Sequence, residues 1–433
     1  MNRTTHTFTI QDAETFKTQL LHWAQQFEEV VWLDSNEYPN QPHKTYDAIL
    51  AVDGFTSIKT SYEDAFDRLE EYQHTTKDWL FGYLSYDLKN DIERLTSKNE
   101  DHVGFPDLYF FQPKRIFLIK GAQVEMHYLP MVDDEIDYDY KEITQTTPYQ
   151  AVSKKETSLH IKLKIHKEAY KEKVRTMLRY IQKGDIYEAN FCQEFFANGS
   201  IDPLQTYQEL NAISKPPFAT FLKLEDLFLL SATPERYLKK ERNTLWSSPI
   251  KGTAARSEDV HEDAAFAKAL SEDPKERSEN IMIVDLVRND LSRIAQKGSV
   301  TVQELCKVHP FKQVHQMIST VTAKIGVGIS PLDTIRATFP MGSMTGAPKI
   351  RAMEIIEELE ETKRGLYSGA VGYFTPDGDF DFNVIIRSIL YNAAANYISY
   401  SVGSAITIQS DPDKEYAECL LKAKAMREVL EQN

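Results

Sequence analysis

Cysteine is scarce in this chain: Cys192, Cys306 and Cys419 are the 3 in 433 residues, far apart and with no CxxC pair. That excludes a disulfide scaffold and a thiolate zinc site, and it suits a reducing cytoplasm. Positive charge is also short. Lys and Arg number 50 against 65 Asp and Glu, a formal net charge of −15. A nucleic-acid partner needs a basic footprint that this bulk charge does not supply. An anionic substrate would therefore have to be held by local arginines and backbone amides. Long uncharged apolar runs are missing, which excludes a membrane-spanning helix. The opening Met1-Asn2-Arg3-Thr4-Thr5-His6 has no apolar signal-peptide core. The expectation is a soluble, cytoplasmic protein. With 42% apolar and 11% aromatic residues the composition is globular, and the length suits roughly two or three domains.

Residues 1–130 read as an N-terminal α/β region. Thr7 to Ile10 alternates as a strand, and Asp12 is placed to cap the helix whose apolar stripe is Phe16, Leu20, Trp23 and Phe27. Val30 to Leu33 is a buried strand ending in Asp34-Ser35-Asn36. Trp79 to Asp87, Leu108 to Phe111 and Ile116 to Ile119 are further strands, with Pro113 separating the last two. Over 131–160 an acidic, polar stretch shows no apolar period and reads as a solvated connection. From 161 to 433 the signals sharpen. Glu168 to Gln182 is helical and ends at Gly184. A strand follows over Asp185 to Phe195, then a helix capped by Asp202 with Pro203 at its first position. Phe218 to Leu224, Leu227 to Ala232 and Tyr237 to Lys239 are strands.

Chemistry concentrates in four places. In Trp246 to Thr253 serines, a proline and Gly252 surround Lys251, as in a tight turn that pins an amine. Upstream, Glu235 follows an apolar strand; an amine and a carboxyl on neighbouring strand ends can form a nucleophile and its proton donor. Two helices open alike, Asp273-Pro274 with Glu276 and Glu279, and Asp411-Pro412 with Glu415 and Glu418. The first has the spacing of a capping box. Each i,i+3 pair shares a helix face, where acids also favour the helix dipole. Should the helices converge, the carboxylates call for a hard cation, Mg²⁺ rather than zinc.

Phe339 to Ile350 is a loop of small residues feeding a helix over 348–361. It suits an anion seat or a plain helix entry, and it is not a P-loop. Pro376-Asp377-Gly378 joins Gly365 to Phe374 with Phe380 to Leu390 as a hairpin. Alternation in the second strand sets Asp381, Asn383 and Arg387 on one wet face, where Arg387 can grip a carboxylate. Gly403 within Ile398 to Ile406 marks a close backbone approach.

These stretches together resemble the chorismate-utilising enzymes, the family of anthranilate synthase component I and aminodeoxychorismate synthase component I. The matching motifs are GDIYEANF, SATPER, SSPIKGTAAR, DPKERSENIMIVDLVRNDL, FPMGSMTGAPKIRAMEIIEELE, RGLYSGAVGYF, DFNVIIRS and DPDKEYAECLLKAKAM, over about 166–426. WLDS and FGYLSYDL match more loosely. The resemblance implies an α/β (α+β) fold, a large sandwich of mainly antiparallel sheets with flanking helices and the site between the sheets. It implies Mg²⁺ at Glu279 and Glu418, with Glu276 and Glu415 beside them. Thr253, Gly252, Tyr367, Arg387 and Gly403 fall at substrate positions, and Glu235 at the general acid.

Lys251 distinguishes members, because the anthranilate synthases carry alanine in this stretch (PIAGT) and the aminodeoxychorismate synthases lysine (PIKGT). The implied reaction is amination of chorismate to 4-amino-4-deoxychorismate through a covalent Lys251 intermediate. The attacking amine must be neutral, so its pKa must fall from about 10.4. No glutaminase elbow Gly-x-Cys-x-Gly occurs. Ammonia is therefore expected from a separate glutamine amidotransferase subunit, and the product is expected to pass to a lyase for p-aminobenzoate and folate. Leu33-Asp34-Ser35 lies where relatives bind tryptophan. Three positions depart from the pattern: Glu188 where synthases have glutamine and isochorismate-forming relatives a lysine base, Gln316 for a common histidine, and Ala405 for a glycine. Anthranilate synthase component I is the alternative reading. A binding protein without activity would lack an acid or a ligand, yet Glu235, Lys251, Glu279 and Glu418 are all present.

Overall fold

Two long strands, Ala48–Thr60 and Leu108–Lys120, carry the bend that shapes the molecule. They pair antiparallel over their whole length, with one register slip between Gly54 and Thr56. Pro113 stands opposite Gly54 at that slip. The expectation that Pro113 separates two strands is thus corrected. A bulge is one of the few places where a ladder tolerates a residue without an N–H, and strands bent by bulges can serve two sheets at once.

The computed structural model of the chain describes residues 2–36, 44–147, 159–311 and 314–432. Beyond the bulge, Leu108–Lys120 pairs with Leu80–Leu84, then in turn with Ala370–Phe374, Phe380–Val384, Arg236–Glu241, Thr244–Ser247 and Val314–Lys324. On the other side, Ala48–Thr60 pairs with Glu29–Asp34, followed by Phe218–Leu224, Leu227–Thr233, Ser388–Asn392, Tyr397–Thr407 and Glu188–Asn198. Every one of these ladders is antiparallel. The expected sandwich of antiparallel sheets with flanking helices is what forms, as one hydrogen-bonded network folded into two layers.

Period-2 alternation explains why the layers stack. Val31, Leu33, Leu222, Leu224 and Leu229 point into a core shared with Phe81, Tyr83, Leu238, Val321, Phe374 and Phe382 of the opposite layer. Their neighbours Val30, Trp32, Phe221 and Leu230 point outwards into a second core. There they meet Leu20 of the helix Ala13–Trp23, Val174 of Lys167–Lys183, Tyr207 of Pro203–Ser214 and Met426 of Pro412–Gln432. Asp12 and Asp202 cap as expected, accepting from the N–H groups of Glu14 and Gln205. Gly184 ends its helix at φ 80°. The segments 1–130 and 161–433 share ladders in both layers, through Glu29–Asp34 with Phe218–Leu224 and Leu80–Leu84 with Ala370–Phe374.

The solvated connection expected over 131–160 is corrected as far as it is described. Ile136–Gln145 is a helix. Ile136 and Ile143 are buried, and Asp139 accepts from Arg115 Nε and the Tyr128 hydroxyl. A single buried stripe among acids is too sparse to register as a period. Residues 148–158 lie outside the described residues.

Candidate active site

The chain passes from one layer to the other at two neighbouring places, and each crossing carries a charged side chain. Between Leu227–Thr233 and Arg236–Glu241 stands Glu235; between Phe380–Val384 and Ser388–Asn392 stands Arg387. The crossings are stitched together, Val384 N–H donating to the Glu235 carbonyl at 3.0 Å and Ala232 N–H to the Arg387 carbonyl at 3.1 Å. Arg387 sits at φ 53°, a conformation that persists where surrounding structure over-determines it.

This break corrects the reading of Phe380 to Leu390 as one strand with a wet face. Asp381 is bound by Arg236 Nε at 2.9 Å, and Asn383 is buried. The half-buried Arg387 guanidinium has no hydrogen bond or ion pair among the described residues. Burial pulls its pKa below the usual arginine value, against the opposing pull of Tyr367 and Glu418. An unpaired, partly desolvated guanidinium is a seat for a carboxylate.

Glu235 is buried and accepts from the Ser343 hydroxyl at 2.6 Å. Burial raises its carboxyl to about 7, outweighing the pull of Ser343 and Lys251 in the other direction. The small-residue loop supplies that hydroxyl. Gly342–Met344 turns, and Gly346–Ala347 then pairs with Ala189 and Glu188. Lys349, at the start of the following helix, is held by Asp290 at 2.5 Å.

Lys251 lies on the strand Ile250–Ala255, not in a tight turn, and the ladder to Val314–Lys324 slips between Ile250 and Thr253. Gly252 has φ 89°, and a Cβ there would stand 3.1 Å from Glu276 Oε2. Glycine thus lets the Glu276 carboxyl lie against the strand. Lys251 Nζ is 3.5 Å from Glu188 Oε1, across the gap between strands of the two layers. Burial alone would lower the amine, but Glu188, Glu279, Glu235 and Glu418 outweigh it and hold the pKa above the ordinary lysine value. The expectation of a lowered pKa is corrected for the chain by itself: the carboxylates that surround the amine keep it protonated. Thr253 is exposed and pairs with Gln316, whose Oε1 is buried without a partner.

The two acidic helices, Pro274–Ser292 and Pro412–Gln432, do converge. Lys275 Nζ stands 3.7 Å from Glu279 Oε1 and 3.8 Å from Glu415 Oε1, bridging them. Asp273 accepts from Glu276 N–H at 2.9 Å. Ser404 donates to Glu415, and Lys422 pairs with Glu418 at 2.7 Å. Burial raises Glu279 to about 7, and its Oε1 is buried without a hydrogen bond. Burial also favours the neutral form of Glu418, but Lys422, Lys275 and Lys251 together outweigh it and its pKa falls.

An orphaned carboxylate oxygen, two helix starts and an all-oxygen donor set fit a hard divalent cation. Among the described residues no group of three or more His, Cys, Asp or Glu side chains is placed to hold a metal ion by itself. Mg²⁺ takes one or two protein carboxylates and completes its shell elsewhere, so Glu279 and Glu418 are the side chains that would hold it.

Of the substrate positions, Tyr367 is buried with its hydroxyl 3.7 Å from Cys192 Sγ. Gly403 faces the same strand: a Cβ would lie 2.6 Å from Asn190 Oδ1 and 2.7 Å from Cys192 Sγ. Its carbonyl accepts from Lys422 at 3.0 Å. Sequence reasoning missed Ser343, Lys275 and Lys422 as partners of the key acids. The i,i+4 spacings of Lys275 with Glu279 and of Glu418 with Lys422 were available signals; the reach of Ser343 to Glu235 had none. A separate cleft is lined by Leu33, Asp34, Ser35, Tyr46, Phe218 and Asn383. Within it Asp34 is engaged by Lys17 at 3.2 Å.

The profile of the chorismate binding enzymes matches residues 13–428. The aminodeoxychorismate synthase component 1 of Klebsiella aerogenes is 35% identical over 350 residues, covering 81% of this chain and 76% of that protein. The anthranilate synthase component 1 of Thermus thermophilus is 33% identical over 382 residues, covering 86% and 82%. Among solved structures, anthranilate synthase component I from Streptococcus pneumoniae superposes with a TM-score of 0.78 at 26% identity, covering 90% of this chain and 95% of that one. The menaquinone-specific isochorismate synthase of Escherichia coli shares the fold, with a TM-score of 0.75 at 15% identity, covering 99% and 95%.

Proposed function

Since the chain belongs to the chorismate-binding enzymes, we propose that it aminates chorismate to 4-amino-4-deoxychorismate through a covalent bond to Lys251. The observation that carries the reading is an amine in an acidic pocket beside a buried, protonatable Glu235. Arg387 offers the substrate dianion a seat, with Tyr367, Gly403, Gly252 and Thr253 around it. Glu279 and Glu418 would hold Mg²⁺, with Glu276 and Glu415 beside them. When bound, Mg²⁺ supplies positive charge that anchors a substrate carboxylate and offsets the acids facing Lys251.

The Lys251 amine attacks C2 of the ring while Glu235 protonates the departing C4 hydroxyl. At about 7 the Glu235 carboxyl is matched to giving up a proton near neutral pH. Ammonia then adds at C4 and the lysine leaves. A glutamine amidotransferase subunit would supply the ammonia, and a lyase would convert the product towards p-aminobenzoate and folate. Tryptophan, if this chain takes it, has the cleft of Asp34, Tyr46 and Phe218. Among the described residues no helix is long and apolar enough to cross a membrane; a cytoplasmic location belongs to this proposal.

Anthranilate synthesis is the alternative, since relatives of that name match almost as well. The assay is the purified chain with chorismate, Mg²⁺ and either ammonium or glutamine. The proposal expects a product from ammonium alone that becomes p-aminobenzoate when a lyase is added. Fluorescent anthranilate formed without a lyase would replace it with the alternative.

A further inference from the structure

Lys251 needs a proton acceptor before it can act as a nucleophile, and its neighbours are not equivalent. Four carboxylates act on the amine: Glu188, Glu279, Glu235 and Glu418. Three of them have other partners. Glu235 takes the Ser343 hydroxyl, Glu279 faces Lys275, and Glu418 is paired with Lys422. Glu188 differs. Among the described residues its carboxylate has no ion-pair or hydrogen-bond partner but Lys251, at 3.5 Å, and its Oε2 is buried with none at all. It is 2% exposed.

The backbone makes this placement rigid. Glu188 opens the strand Glu188–Asn198 and is paired on one side with Ala347 and on the other with Thr407. A buried carboxylate left half-satisfied, and aimed at a single amine, is poorly suited to stabilising the fold. Its Oε1 lies 3.5 Å from the Lys251 amine and its Oε2 is free, which places it to accept a proton from that amine.

We propose that Glu188 is a catalytic base that takes the proton from the Lys251 ammonium as the substrate binds and returns it when the lysine leaves. The inference rests on the covalent reading above. In the first step the Glu188 carboxylate accepts one proton from the ammonium. The freed lone pair forms the C2–N bond, the ring double bonds shift, and the C4–O bond breaks, with the hydroxyl leaving as water on the Glu235 proton. This leaves a cationic secondary amine, a neutral Glu188 and an ionised Glu235. In the second step ammonia forms the C4–N bond and the C2–N bond breaks. Glu235 recovers its proton from the new ammonium group, and the departing Lys251 amine takes back the proton held by Glu188. Both acids and the lysine end as they began.

The test compares wild type with Glu188→Gln and Glu188→Asp, each checked by thermal melting. One readout is steady-state turnover with ammonium; the other is the rate at which chorismate, without ammonia, adds covalently to Lys251 by intact mass. Glu188→Gln keeps the shape and loses the acceptor. Its kcat and its adduct rate should fall by about 100-fold, the lower range for a general base, with KM for chorismate unchanged. Glu188→Asp, with its carboxylate drawn back, should recover part of both rates. A Glu188→Gln protein as fast as wild type, or faster, overturns the proposal, since the carboxylate would then merely clamp the ammonium. If Glu188→Gln does not fold, an unchanged kcat in Glu188→Asp overturns it. Wild type that forms neither adduct nor aminated product refutes the underlying reading instead, and the base falls with it.

Discussion

Glu235 and Lys251 were visible in the sequence as residues, but their electrostatic states were not. Those states depend on groups remote in the chain. Ser343 reaches Glu235 from another loop, and Glu188, Glu279 and Glu418 reach Lys251 from other elements. The outcome for Glu235 can be measured. Burial raises its carboxyl from 4.5 to about 7, so it keeps its proton up to near-neutral pH and loses it above. A proton donor of this kind is available on the acid side, and turnover should decline as pH rises through about 7. The sign for stability is the same: ionising a carboxyl whose folded pKa is raised opposes folding, so its contribution is full below 4.5 and fades as pH rises towards 7. Glu235→Gln should lose about 100-fold or more in kcat, and a pH–rate profile should lose its descending limb. A wild-type rate that stays flat from pH 6 to pH 9 would remove Glu235 from the donor role.

At the scale of elements, what was legible was local. The caps at Asp12 and Asp202, the stop at Gly184 and the paired Asp-Pro helix openings depend on neighbours within a few positions. The misreadings are equally informative. Pro113 reads as a breaker until Gly54 is known to lie opposite. Phe380 to Leu390 alternates as one strand, although the chain changes layers at Arg387. The helix over Ile136–Gln145 is hidden because its inward Asp139 is polar and finds Arg115 and Tyr128 only in the fold. The converging helix starts carry a prediction of their own. Mg²⁺ should raise the melting temperature of the wild-type chain, and this rise should be lost in Glu279→Gln, with little change in the metal-free melt because Oε1 has no hydrogen bond and loses only a long contact with the partly exposed Lys275. An equal Mg²⁺ shift in both proteins would place the cation elsewhere.

For the whole molecule, the site follows from the topology. One antiparallel network bends at the Ala48–Thr60 and Leu108–Lys120 pair, so strands far along its two arms, bearing Lys251 and Glu188, face each other. The crossings at Glu235 and Arg387 are stitched side by side between them. None of this long-range pairing is written in periodicity. Motif resemblance supplied the fold and the family together, and periodicity supplied the pieces. The arrangement sets the Lys251 amine among acids from several elements, Glu188 and Glu235 included, and the proposed reaction stands on that amine. Its most direct test is peptide mapping of wild-type protein incubated with chorismate and Mg²⁺ in the absence of ammonia. The account predicts an adduct on Lys251 with the mass of chorismate less one water, chased off by ammonium to give aminodeoxychorismate. Aminated product formed from ammonium by a Lys251→Ala protein at the wild-type rate, with no adduct on the wild type, would contradict it.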